Sequence, residues 1–115
     1  MADWQEWPQR LWGDDWIAPM SEVLNINRRT IERWRAGEGE PNIGLQTELR
    51  RLALRYGARA IGNVLRRMAR GETLKEIKAD IREHQIATTR IEVELGKYGS
   101  IPILASRNTD ALLDD

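Results

Sequence analysis

Four arginines, Arg28, Arg29, Arg33 and Arg35, crowd around a single pair of large apolar residues, Ile31 and Trp34. A guanidinium grips phosphate or carboxylate through two parallel hydrogen bonds, so a cluster of them is chemistry suited to a polyanion. The same composition also describes a solvated surface helix, and residue types alone leave both readings open. A second cluster follows. Arg50, Arg51, Arg55, Arg59, Arg66, Arg67 and Arg70 fall between Leu49 and Gly71 with no acidic residue among them. They could lie along neighbouring phosphates, or simply keep a long helix hydrated.

Other residue types offer less. His84 is the single histidine and there is no cysteine, so a metal site, a disulfide framework and thiolate chemistry are not expected. His84 reads as an exposed polar residue. No glycine-rich phosphate loop, nucleophile elbow or usefully spaced carboxylate pair occurs, so neither an enzyme nor a cofactor is expected. Trp4, Trp7 and Trp12 read as a packing cluster or a dimer surface in preference to a ligand cage.

The chain of 115 residues has the length of one domain, and 41% apolar with 31% charged residues is a globular composition. No apolar run is long enough to span a membrane. Met1 to Trp7 lacks the basic start and apolar stretch of a signal peptide, so a cytoplasmic protein is expected. The net charge of zero conceals segregation along the chain. Residues 1–27 carry five acids against Arg10, residues 28–82 carry fourteen bases against seven acids, and residues 83–115 carry three bases against six acids. A basic middle with acidic flanks hints at a polyanionic partner.

The elements that must position these residues read as mainly helical. Pro8 suits the first turn of a short helix over Gln9 to Trp12. Asp14 or Asp15 is placed to cap a second helix running to about Leu24, with Trp16, Ile17, Met20, Val23 and Leu24 on one face. Asn25 sits where a left-handed residue would end it. Asn27 is a good cap for a third helix, Arg28 to Ala36, stopping at Gly37, after which Gly37 to Asn42 is a loop. From Ile43 an amphipathic pattern runs through Leu45, Leu49, Leu52, Tyr56, Ala60 or Ile61, Val64 or Leu65, and Met68, as one helix or as two broken near Gly57. Thr73 caps a further helix carrying Leu74, Ile77 and Ile81. Beyond His84, Ile91, Val93 and Leu95 alternate with Arg90, Glu92 and Glu94, which predicts a strand. Gly96 to Ser100 is turn-like, and Ile101 to Leu104 would return as an edge strand because of Pro102. A small C-terminal β-hairpin is the expectation here, with a frayed helix as the alternative. Residues 1–70 form one region, residues 71–105 a C-terminal part of the same compact unit, and residues 106–115 a tail.

Trp16 to Gly37 reads WIAPMSEVLNINRRTIERWRAG and resembles the helix-turn-helix of lambda-repressor-like proteins of the small bacterial and phage type. Met20, Leu24, Ile26, Ile31 and Trp34 coincide with the apolar seam where two such helices must bury each other. Ser21 holds the small-residue position, Asn25 the glycine position and Asn27 the cap position. Two departures stand out: Pro19 inside the first helix, and asparagine for glycine at 25. Leu11-Trp12-Gly13 followed by Trp16 is similar to the opening of a subgroup of these proteins. The resemblance covers a quarter to a half of the chain and does not reach residues 72–115.

It implies an N-terminal helix-turn-helix in a multi-helix bundle, with the second helix in the major groove of double-stranded DNA. Arg28 and Arg29 would then read bases, since a guanidinium matches guanine O6 and N7, with Glu32 accepting from cytosine N4 or orienting an arginine. Asn27, Thr30, Arg33 and Arg35 would hold the backbone, joined by Arg50 and Arg51 from the second cluster. The implied function is a prokaryotic or phage transcriptional regulator, binding a pseudo-palindrome as a homodimer; the leftover apolar residues of the C-terminal half, Ile91, Val93, Leu95, Ile101, Ile103 and Leu104, offer the natural dimer surface. No membrane partner and no small-molecule effector is indicated. A phage assembly or DNA-packaging small subunit using the same motif, or a protein-interaction module that binds no DNA, are the alternatives.

Overall fold

Seven α-helices and one turn of 3-10 helix make up the regular structure of the residues that this computed structural model describes, 3–80, 85–98 and 102–104. In chain order the helices are α1 (Glu6–Trp12), α2 (Ile17–Leu24), α3 (Arg28–Arg35), α4 (Ile43–Ala53), α5 (Ala58–Ala69), α6 (Leu74–Asp80) and α7 (Gln85–Tyr98), with the 3-10 turn at Pro102–Leu104. None of them is long and apolar enough to cross a membrane.

The local chemistry of the boundaries accounts for most of them. α1 begins earlier than Gln9, because Pro8 lies in its first turn, where the missing N–H has no helical partner to lose. α2 is entered through Trp16 with no side-chain cap, so neither Asp14 nor Asp15 performs the capping expected of them. Pro19 falls within its first turn, and Met20 N–H already bonds to Trp16 C=O at 2.9 Å. Asn25 ends α2 in the left-handed region, at φ 54 and ψ 45. Asn27 caps α3 by accepting from Arg29 N–H at 2.8 Å, and Asn42 caps α4 by accepting from Leu45 N–H at 2.9 Å. The long pattern after Ile43 is two helices, parted at Gly57 with φ 77. Thr73 and Glu76 cap α6 reciprocally: Glu76 N–H donates to Thr73 Oγ1 at 3.1 Å, and Thr73 N–H donates to Glu76 Oε1 at 3.2 Å.

The expected hairpin is replaced by helix. Ile91, Val93 and Leu95 all lie in α7, and Pro102–Leu104 is a 3-10 turn; among the described residues there is no strand. Ile91 and Leu95 are four apart, so they share a face equally well in a helix or a strand. Val93 decides between them: it is 53% exposed while Ile91 is 0% and Leu95 4% exposed, which only the helical period allows. Ala87 and Thr88 complete the buried face of α7. Ile81, Arg82, His84, Gly99 to Ile101 and the tail 106–115 lie outside the described residues.

α5 is the central helix, with Ile61, Val64, Leu65 and Met68 fully buried and with α1, α2, α4, α6 and α7 packed around it. Gly62 is where α1 crosses it. A Cβ there would lie 2.0 Å from Leu11 O, and Gly62 O accepts a 2.8 Å hydrogen bond from Trp12 Nε1. The same contact explains Trp12, which is buried along with Trp4 and Trp7 as part of the core.

Candidate nucleic-acid interface

α2 and α3 meet along the seam anticipated from their apolar residues. Met20 and Ile31 are fully buried, Leu24 is buried, and Ile26 and Trp34 are half-buried against the core. Ser21 does more than stay small: its hydroxyl donates to Ile26 C=O at 2.6 Å, tying α2 to the connection that follows it. The back of α3 is braced from the N-terminal segment. Trp4 stands edge-on to both Trp16 and Trp34, at 5.6 and 6.3 Å between ring centroids, and Gln5 Nε2 donates to Arg35 C=O at 3.2 Å. Nothing local along the chain announces this brace, since Trp4 lies thirty residues from Trp34.

With one face held inward, the rest of α3 is presented outward. Asn27, Arg28, Arg29, Glu32, Arg33 and Arg35 are all exposed, whereas Thr30 is half-buried. At about 100° per residue, Arg29, Glu32 and Arg33 lie opposite the buried face. Arg28 and Arg35, two turns apart, share an edge turned toward the start of α2. There they line a shallow depression of about 160 Å³ with Asp14, Asp15, Ile17 and Ala18. Arg28 also approaches Glu32, with 3.5 Å between Nε and Oε1. Arg29, Arg33 and Arg35 have no ion pair among the described residues. Asn27 Oδ1 is engaged as the cap, which leaves its amide nitrogen as the group free to meet a ligand.

The second arginine cluster behaves differently. Arg51 and Arg55 turn to Glu94 of α7, at 3.4 and 2.6 Å, and Arg51 also reaches Glu48 at 3.7 Å. Arg66 holds Glu22 of α2 at 2.7 Å, Arg70 contacts the same carboxylate, and Arg67 pairs with Glu72. Arg50 lies over the Trp7 ring, 5.8 Å from its centroid. Of the two arginines expected to join α3 on a nucleic-acid backbone, Arg51 is therefore committed to an internal ion pair, and Arg50 is exposed but rests on Trp7. Two of the acids that neutralise this cluster come from distant segments: Glu22 is separated by 44 residues from Arg66, and Glu94 by 39 from Arg55.

These contacts leave their mark on the carboxyls. Burial pushes Glu22 upward, but hydrogen bonds and charge from Arg70 and Arg66 outweigh it and hold the carboxyl below its ordinary value. The Arg67 hydrogen bonds hold Glu72 below its ordinary value too. Glu48 goes the other way: its burial raises the carboxyl despite the nearby Arg51.

The C-terminal residues expected to form a dimer surface are mostly interior. Ile91, Leu95, Ile103 and Leu104 are buried in the chain's own core, Val93 is exposed, and Ile101 lies outside the described residues. Comparison with family models, characterised proteins and solved structures yields no match.

Proposed function

We propose that the chain is a sequence-specific double-stranded DNA-binding protein in which α2 and α3 act as a helix-turn-helix, with α3 entering the major groove. One observation carries this reading. Of the seven arginines between Leu49 and Gly71, Arg51, Arg55, Arg66, Arg67 and Arg70 are paired with acids within the fold, whereas α3 presents four arginines on one helix with Glu32 as its own single acid. A duplex is the polyanion whose groove accepts a helix of this diameter, and guanidinium groups can engage both its phosphates and its guanine edges. The capped start at Asn27, the left-handed Asn25 and the short connection between the helices support the same reading.

One such helix reads only a few base pairs, so the functional unit is a homodimer on a two-fold site, in the manner of a prokaryotic or phage transcriptional regulator. The test is selection of bound duplexes from a random pool, followed by titration of the winner across salt concentrations. The expected result is a palindromic consensus, bound by two chains, whose affinity falls steeply with salt. Retention of no duplex at low salt, where the electrostatic attraction is strongest, would overturn the assignment.

A further inference from the structure

We infer that α3 is two-sided: its Arg29–Arg33 strip makes the discriminating contacts, while Asp14 and Asp15 keep phosphate away from its Arg28–Arg35 edge. This inference rests on the DNA-binding reading and adds to it a determinant of orientation and selectivity that lies outside α3. Its basis is geometric. Arg29 and Arg33 are four apart on the side of α3 opposite Ile31 and Trp34, exposed and without an ion pair among the described residues. Arg28 and Arg35 are equally exposed, yet they share one depression with both aspartates at the start of α2.

Those aspartates serve no local purpose that would explain them. Neither caps α2, whose N-terminus has no side-chain hydrogen bond, and neither forms an ion pair among the described residues. A phosphate approaching Arg28 or Arg35 would enter the same depression as two carboxylates, and charges that share so small a space are only partly screened by a Debye length of about 8–10 Å at ordinary salt. Attraction on that edge is cancelled by repulsion. The opposite strip carries one carboxylate, Glu32, which approaches Arg28, against the two that face the other edge, so a duplex gains most by lying toward Arg29 and Arg33. A duplex held by base contacts to Arg29 and Arg33 keeps its phosphates clear of that edge, whereas a duplex of arbitrary sequence has no such anchor and could settle on either side. The aspartates therefore lower affinity for arbitrary duplex more than affinity for the preferred site, which raises selectivity.

A charge-swap cycle on the full chain tests this, using the selected duplex and a random-sequence duplex of equal length. The isosteric Asp14→Asn/Asp15→Asn variant is expected to bind random duplex at least about threefold more tightly at low salt, with the gain shrinking as salt rises. Arg29→Ala/Arg33→Ala is expected to lose roughly tenfold or more of the preference for the selected site. Arg28→Ala/Arg35→Ala should cost clearly less binding than Arg29→Ala/Arg33→Ala in the wild-type background. In the Asp14→Asn/Asp15→Asn background the same substitution should cancel the gain, because freed arginines have become phosphate contacts. Additive effects, or a loss in Arg28→Ala/Arg35→Ala equal to that in Arg29→Ala/Arg33→Ala, would overturn the inference while leaving DNA binding intact. The four arginines are exposed, so the comparison between the two pairs stands even if the aspartate variant folds poorly. A wild-type chain that retains no duplex at all would remove the DNA-binding reading itself, and this inference with it.

Discussion

Glu94 is only 3% exposed, yet its two oxygens face the guanidiniums of Arg55 and Arg51. A buried carboxylate persists when cations and hydrogen bonds replace the water it has lost. Replacing it by leucine leaves the partly buried Arg55 without this partner and Arg51 with only its longer contact to Glu48, so Glu94→Leu is expected to lower the free energy of unfolding by about 2–4 kcal/mol in denaturant titrations. Gly62 presents the opposite problem, a place where any added atom collides. Its missing Cβ makes room for Leu11 C=O, and that atom is backbone, which cannot swing aside. Gly62→Ala is expected to cost about 1–3 kcal/mol and to loosen α1 from α5, read as a shift in Trp12 fluorescence. Residue type was informative at the surface of α3, where four arginines around Ile31 and Trp34 announced an outward cationic face. It was uninformative for Glu94, because its alternation with Val93 suggested a solvent-facing position, and nothing local reveals a partner 39 residues away.

At the scale of elements, α2, the turn and α3 were legible because each boundary depends on neighbours in the chain. Asn27 caps from two residues away, and Asn25 closes the helix it follows. Asn25 holds φ at 54, a conformation costly to most side chains and tolerated by asparagine. Asn25→Ala should therefore lose about 1 kcal/mol of stability, and Asn25→Gly should lose none, as thermal melts would show. If both substitutions were equally harmful, a side-chain contact and not the backbone would govern the position. α7 was not legible in this way. Its apolar residues Ile91 and Leu95 suit both periods, and the discriminating contacts come from α5 and α6, which no local pattern encodes. Asp14 and Asp15 failed as caps for a related reason: Trp16, buried against Trp4, fixes where α2 starts before any capping side chain can act.

Across the whole molecule, the segregation of charge seen along the chain is largely undone by folding. Glu22 from the acidic N-terminal stretch is set against Arg66 and Arg70, and Glu94 from the acidic C-terminal stretch against Arg51 and Arg55. Among the described residues of the basic middle, the charge that remains outward without an internal acid lies on α3 and at Arg50 and Arg59, so long-range pairing narrows a cationic surface that the sequence spreads over residues 28–82. This recombination makes stability depend on pH with two opposite signs. Glu22 and Glu72 have folded pKa values below the ordinary 4.5, so their contribution is present at neutral pH and is lost as pH falls through the depressed folded values. Glu48 has a raised folded pKa, so its contribution is full only at pH below the unfolded value and is lost as pH climbs through the folded one. Glu22→Gln should accordingly be less stable than wild type at pH 7, with the gap closing on acidification. Glu48→Gln should be more stable than wild type at pH 7, and that gap should close at higher pH than the Glu22 gap, as pH falls from the raised folded value toward the ordinary 4.5. Denaturant midpoints of the three proteins between pH 3 and pH 7 would read both trends at once. Parallel curves would mean that the Glu22 pairs are too hydrated to support α2 against α5, and that the charge left on α3 does not depend on how the rest of the fold pairs its own.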